Sequence, residues 1–423
     1  MRDWLGRLHP FRTPDARRLA LLFAIVYFAQ GMWYLPNQTV KAVLNEQGVS
    51  AGQIGTFFAV ATMAWNVKPL YGLISDFFPL FGRRRKSYFL LTTSLAAATG
   101  LYLGLVGAVS PAMLAVLIGT MGLGLAFTDV LTDALMVENG RTLGLTGAFQ
   151  SVQWGAINTA TILVGVGGGY LAKHRALRPS FLLAAAFPLV SLAMAAKFIR
   201  EPRAPRDTAS VRATWRAVRD AFRERDIWMV AAFVSFWAFS PSLGSSLFVH
   251  QTNVLGVPQE RIGLLDSIAA AAGILGAAVY APLSRKFPLT RLIVGAIGIG
   301  VASSLAFLFY TSFPAAIAIH AISGCLGTSP LLAILDLAAR ACPRRVEATF
   351  FALLMSLNNT AMSLSDAVGG YLYGWLGYTA LVLISATMTA MAWLLVPLVH
   401  IDRIEAKARA ESTRPDSPPP APT

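Results

Sequence analysis

Charge is scarce in this chain. Only 13% of its 423 residues are Asp, Glu, Lys or Arg, 55% are apolar, and the mean hydropathy is +0.58. A water-soluble chain of this length needs more charge to cover its surface. Cysteine is nearly absent: Cys325 and Cys342 have no metal-ligand spacing, exclude a disulfide framework and read as packing residues. There is no phosphate-cradling glycine loop, no cluster of metal ligands and no catalytic constellation at one depth. Those absences argue against an ATP-driven pump, a metal centre or an enzyme within this chain, and no cofactor is expected. A signal peptide is not expected either, because the first apolar run is too long and lacks a small-residue cleavage site.

What the chain has in abundance is long apolar runs. Twelve stretches read as spans, at 19–43, 52–75, 88–109, 112–135, 146–171, 179–199, 227–249, 262–284, 290–312, 314–337, 348–374 and 378–400. A hydrocarbon core of about 30 Å takes about 20 apolar residues as helix. The alternation of a barrel is absent, so helices must satisfy the backbone in lipid. The fold class expected is an all-α polytopic membrane protein with 12 transmembrane helices. The formal charge of +14 would suit nucleic acid, but its placement points to a bilayer. Lys and Arg gather in the tails and in every second gap, while the other gaps hold only Lys173, Arg175, Arg178 and Arg261. This positive-inside bias puts both termini in the cytosol, in a bacterial inner membrane, with lipid rather than nucleic acid as partner.

Five regions follow: a cytosolic segment 1–18, a six-helix half 19–199, a linker 200–226, a second six-helix half 227–400, and a charged, then Pro-rich tail 401–423 expected to be disordered. In the linker, Arg212, Arg216, Arg219 and Arg223 recur at helical spacing. They read as a basic helix on the inner leaflet or as a solvated linker helix. The halves repeat. Ile54-Gly55 returns as Ile262-Gly263, Phe78-Pro79-Leu80 as Phe287-Pro288-Leu289, Asp133 as Asp336, and Gly168-Gly169-Tyr170-Leu171 as Gly369-Gly370-Tyr371-Leu372. An even number of spans per half makes this a parallel repeat, with the halves rocking about a midplane site.

Two motifs carry the chemistry. The first runs from Trp65 through Lys68-Pro69-Leu70-Tyr71-Gly72 and Ser75-Asp76 to Gly82-Arg83-Arg84-Arg85-Lys86. Gly72 is expected to let a helix approach closely, and Asp76 to pair with Arg83 or Arg84 as a cytosolic latch. The second is Asp129, Asp133, Glu138 and Arg141. Asp129 and Asp133 share a helix face, and acids within a membrane are costly enough to need a function or a partner. Asp133, with its repeat partner Asp336, is assigned to the gate beside the loop arginines. The deeper Asp129 is a candidate for substrate or proton binding.

Together these residues resemble the folate–biopterin transporter family of the major facilitator superfamily, over Gln30-Gly31, Leu35-Pro36, Lys68 to Gly72, Ser75-Asp76, Pro79, Gly82, Arg84, Tyr88, Asp129, Asp133, Glu138 and Arg141. The resemblance implies a major facilitator fold of two six-helix halves and proton-coupled uptake of folates or related pterins. The competing readings are a facilitator moving another small organic solute, in or out, and a non-transporting receptor on the same fold.

A pterin offers a flat ring and an amide/amine edge. Near the midplane, Gln30, Trp65, Lys68, Asn158, Asn358 and Asn359 are expected to line its site, with Gln153 somewhat inward. Aromatics would stack on the ring, Asp129 would accept from its edge, and Lys68, deep among apolar neighbours, would meet an anionic tail. Asp266 and Asp366, in the outer half, read either as proton sites, joining Asp129, or as outer-gate partners. His320 reads as a satisfied packing histidine. A monomer is expected.

Overall fold

The computed structural model describes residues 11–106, 109–143, 145–201, 219, 223–342 and 347–412. The linker helix and the end of the tail lie almost wholly outside these residues. Among the described residues the chain is helical, with no strand beyond a bridge between Leu80 and Arg83. The helices of the first group are α1 (Pro14–Met32), α2 (Asn37–Glu46), α3 (Ala51–Ala61), α4 (Lys68–Phe77), α5 (Lys86–Val106), α6 (Pro111–Leu143), α7 (Thr146–Lys173) and α8 (Leu177–Phe198). The second group comprises α9 (Arg225–Ala238), α10 (Gly244–Val249), α11 (Gln259–Lys286), α12 (Leu289–Ala306), α13 (Phe313–Ala341), α14 (Glu347–Val399) and α15 (Ile401–Ser412).

Nine helices among the described residues are long and apolar enough to cross a membrane. The apolar stretches of the sequence do not map one to one onto unbroken helices, and the local chemistry explains why. Pro36 interrupts the first stretch between α1 and α2. In the second, α3 gives way to a 3₁₀ turn, Met63–Val67, before Pro69 in the first turn of α4. Proline lacks the N–H that a helix interior needs but fits a helix start. In the seventh, α9 stops before Pro241, and α10 runs into a π turn, His250–Val254. The last two stretches join in α14, which bends at Gly377, where φ is 81° and ψ 178°. That backbone region is open essentially to glycine alone.

Buried apolar residues fall into two large clusters. One draws on Phe11 to Ile199 and is joined by Phe248, Val249 and Ile262. The other runs from Ile227 to Ile404. The end that carries Arg83–Lys86, Glu201 and α15 is called the basic end below.

At the opposite end the two groups meet along two backbone-to-backbone seams. A Cβ on Gly263 of α11 would sit 2.0 Å from the Gly165 carbonyl of α7. A Cβ on Gly370 of α14 would sit 2.5 Å from the Ala51 carbonyl at the start of α3. Hydrogen bonds between the groups gather toward this end: Gln38 Nε2 donates to the Gln259 carbonyl at 2.7 Å, and Asn45 and Asn253 exchange amide bonds at 2.7 and 3.0 Å. Lys173 pairs with Glu260 at 2.5 Å, and Ser267 Oγ donates to the Ile162 carbonyl at 2.8 Å. The repeated Ile-Gly and Gly-Gly-Tyr-Leu motifs therefore lie at both seams.

Gly263→Val is expected to cost about 1–3 kcal/mol by overpacking, since backbone faces the added atoms. A lower melting temperature in detergent reads it out; an unchanged one refutes the close approach.

Candidate functional site

The breaks in the first two stretches bring polar groups together. Restarting the helix at Lys68-Pro69 sets Lys68 at the first turn of α4, opposite Asp129 on α6. The Lys68 ammonium meets Asp129 Oδ2 at 2.7 Å, with side-chain exposures of 23% and 5%. The same ammonium stands 4.6 Å from the centroid of the Trp65 ring. Trp65 packs on Trp33 with centroids 5.7 Å apart, and Trp33 meets Tyr34 edge-on at 4.9 Å. Among the described residues, Gln30 Oε1, Trp33 Nε1, Trp65 Nε1 and Asn66 Oδ1, on the same first two spans, are buried without a hydrogen-bond partner. Buried orphan donors and acceptors are costly and ask for an occupant that satisfies them.

Asp133 differs from its expected place beside the loop arginines. It accepts a short hydrogen bond from the Tyr27 hydroxyl, and Gln153 Nε2 approaches it at 3.4 Å. Gln153 is buried, and α1, α6 and α7 supply this second polar knot one turn from Asp129. The acid that does reach the loop is Glu138, because α6 runs on to Leu143. Asn158, Asn358 and Asn359 are half-buried; Asn358 Nδ2 lies 3.5 Å from Met362 Sδ, and among the described residues none of the three is hydrogen-bonded to the Lys68–Asp129 pair.

The gate candidates form a cluster at the basic end, centred on a residue outside the expected set. Asp76 pairs with buried Arg85 at 2.7 Å rather than with Arg83 or Arg84. Arg85 also meets Glu138 at 2.9 Å and donates to Ser75 Oγ at 2.8 Å. Positive φ at Phe81 and Gly82 turns the loop and delivers Arg85 just before α5. Glu201 accepts from the backbone N–H groups of Arg84, Arg85 and Lys86 at 2.8 to 3.1 Å, a charged cap on the positive end of α5. Gly72 sits in ordinary contact: an added Cβ would meet Val130 Cγ1 at 3.6 Å, so the close approach expected there is absent. In the second group Asp336 holds Arg340 with two bonds of 2.8 Å, and Arg340 reaches Glu405 at 3.2 Å. Glu405 also lies 3.4 Å from the Leu289 N–H at the start of α12, an echo of Glu201.

The two outer acids have different surroundings. Asp366 on α14 accepts from the Ser245 N–H at 2.8 Å and the Ser245 hydroxyl at 2.7 Å, and so caps the half-helix α10. Asp266 on α11 is exposed and makes no ion pair among the described residues. His320 is buried and bonded to the Tyr310 hydroxyl at 3.2 Å, which also accepts from Gln251 at 2.5 Å.

Sequence reasoning missed Tyr27, Arg85 and Glu201. Only Glu201 left a signal: an acid directly after a span, amid basic residues, matched by Glu405 after the last span.

This arrangement of broken helices around a polar knot has a major-facilitator-like fold, shared with solved membrane transporters. The nucleoside transporter NupG superposes with a TM-score of 0.69 at 11% identity, covering 93% of this chain and 99% of that one. A D-xylose-proton symporter gives 0.68 at 16% identity, over 90% and 96%. The sequence profile of the BT1 family matches residues 30–417, and the chain belongs to that family, whose members are transporters and not enzymes. It is 33% identical to the folate-biopterin transporter of Synechocystis sp. over 87% of this chain and 76% of that protein. It is 21% identical to folate transporter 1 of Plasmodium falciparum, over 82% and 71%.

Arg85→Met is expected to destabilise by about 1.5–3 kcal/mol, because Arg85 makes charge-assisted bonds with several partners. Arg83→Met and Arg84→Met should stay within about 0.5 kcal/mol of the parent. Melting temperatures in detergent compare the three; equal losses would remove Arg85 from the centre of the cluster.

Proposed function

We propose that this chain carries folates or related pterins across a membrane by alternating access, coupled to protons. It does so as a twelve-span transporter of two six-helix halves, 19–199 and 227–400, with its basic end in the cytosol of a bacterium. The observation that carries the reading is the Lys68–Asp129 pair beside two tryptophans in tilted contact and orphaned polar atoms. A pterin has the matching chemistry: a ring that stacks on indole, and donors and acceptors along its edge for Gln30, Asn66 and the indole N–H groups. The relatives named for folate and biopterin support the substrate class.

The contacts between the groups at the opposite end support an arrangement closed there, with the basic end as the path to the site. Alternation requires those contacts to part while the basic end closes. Asp76, Arg83, Arg84, Asp133, Asp336 and Gly72 remain the gate candidates on that side, with Arg85 added as the residue that positions Asp76. Protonating Asp129 would release Lys68 from its partner, and a substrate carboxylate or ring edge could take its place. This makes charge at the site depend on both ligands, which is how coupling arises.

Uptake of radiolabelled folate and biopterin into proteoliposomes, with and without a pH gradient, tests the reading. No flux of either by well-folded protein would refute it. Asp129→Asn keeps the shape and a hydrogen bond to Lys68 but cannot cycle a proton. It is expected to retain substrate exchange and lose accumulation driven by the gradient. Intact accumulation would move the coupling role to Asp266 or Asp366.

A further inference from the structure

Two lysines lie within the spans of the first group away from the basic end, and the structure treats them differently. Lys68 is neutralised by Asp129 at 2.7 Å. Lys41, on α2, has no carboxylate within ion-pair distance among the described residues. Its ammonium stands 5.3 Å from the ring centroid of Phe58 on α3 and 5.9 Å from that of Phe248 on α10. Both rings are buried and come from different groups of spans, and Lys41 itself is half-buried. Helical side chains lean toward the helix N-terminus, so Lys41 points from α2 back toward the middle of the span. The Asn45–Asn253 amide pair lies one turn nearer the opposite end.

An ammonium held this way keeps its charge beside two aromatic rings. Ring faces attract the cation and hold it in place without neutralising it. Asp266 of α11 makes no ion pair with Lys41 among the described residues. Position matters as much as charge. Phe58 and Lys68 are ten residues apart along one span with the 3₁₀ turn Met63–Val67 between them, a stretch of chain that reaches at most roughly 15–20 Å. A folate is elongated in the same sense: a pterin at one end, a benzoyl ring in the middle, and a glutamate with two carboxylates at the other.

We infer that Lys41, between Phe58 and Phe248, is a second binding position that takes the aromatic-acid end of an elongated substrate, while Trp65 and the Lys68–Asp129 pair hold its flat end. This rests on the function proposed above and deepens it. It also moves the anion-binding role from Lys68, whose charge is already paired, to Lys41. The benzoyl ring would pack on Phe58 or Phe248 while the carboxylate meets the ammonium, so recognition needs both aromatic and anionic character.

Equilibrium binding to the purified full chain in nanodiscs tests this with three probes: folate, p-aminobenzoylglutamate and biopterin, the last of which has no carboxylate. Lys41→Gln should weaken folate and p-aminobenzoylglutamate by about tenfold or more and leave biopterin within about twofold. Lys41→Arg keeps the charge and should hold all three within about threefold. Equal weakening of biopterin by Lys41→Gln, or a loss with Lys41→Arg as large as with Gln, would overturn the assignment in favour of a packing or closing role. So would unchanged binding of all three. Parent protein that binds biopterin but not p-aminobenzoylglutamate overturns this inference and leaves the proposed function standing. Parent protein that binds none of the three removes the proposed function, and this inference with it.

Discussion

Lipid offers a backbone nothing to bond to, and every unusual feature of this chain is arranged around that constraint. A helix meets it internally; a break in a helix meets it only where other protein encloses the exposed groups. The chain breaks within its first, second and seventh apolar stretches, and each break is enclosed. Trp33 and Trp65 are buried at the first two. At the third, α14 substitutes for the missing helical turns: the Ser365 carbonyl accepts from the Ser242 N–H at 3.3 Å, the Ser365 hydroxyl donates to the Ser240 carbonyl at 2.5 Å, and Asp366 caps α10. Lys68 reaches Asp129 because a helix restarts there. Phe248 reaches Lys41 because a short half-helix follows the third break.

The Lys68–Asp129 pair adds little to stability. Removing two charges from water costs several kcal/mol per ion, and their attraction at best returns that. Apolar residues of similar size would fold as well. Losing one partner is another matter, since the other then stays buried and uncompensated. Such a pair suits a site in which a third charged or polar group arrives and leaves. The Tyr27–Asp133–Gln153 knot one turn away satisfies a second acid with neutral hydrogen-bond donors.

The apolar runs were legible because hydropathy follows from the bilayer itself. Their ends were less so: α6 extends to Leu143, beyond the apolar run ending near 135, because a helix does not have to stop where lipid does. The depth of Lys68 and Asp129 could be read along the chain. Their pairing could not, since they are 61 residues apart and meet through helix packing. The loop arginines show the same limit. Arg83, Arg84 and Arg85 are equivalent as letters, and only the turn at Phe81 and Gly82 selects Arg85. Asp366 read as a candidate proton site because nothing in its neighbourhood along the chain marks a half-helix N-terminus 121 residues away. The internal repeat was legible as sequence, while its meaning, a pair of facing seams, appeared only in three dimensions.

Those seams also bear on how separation of the two groups would behave in time. Backbone packed on backbone through glycine has no long side chains to stretch or follow. Dispersion contacts of this kind lose much of their strength within the first ångström of a gap. The Gly263 and Gly370 seams lie on different helix pairs, α7 with α11 and α3 with α14, so a rigid group cannot leave one and stay fully seated on the other. Resistance would be concentrated at the very start of the motion and shared by both contacts. The groups would dwell joined or apart and spend little time between, which makes the seams a source of abruptness.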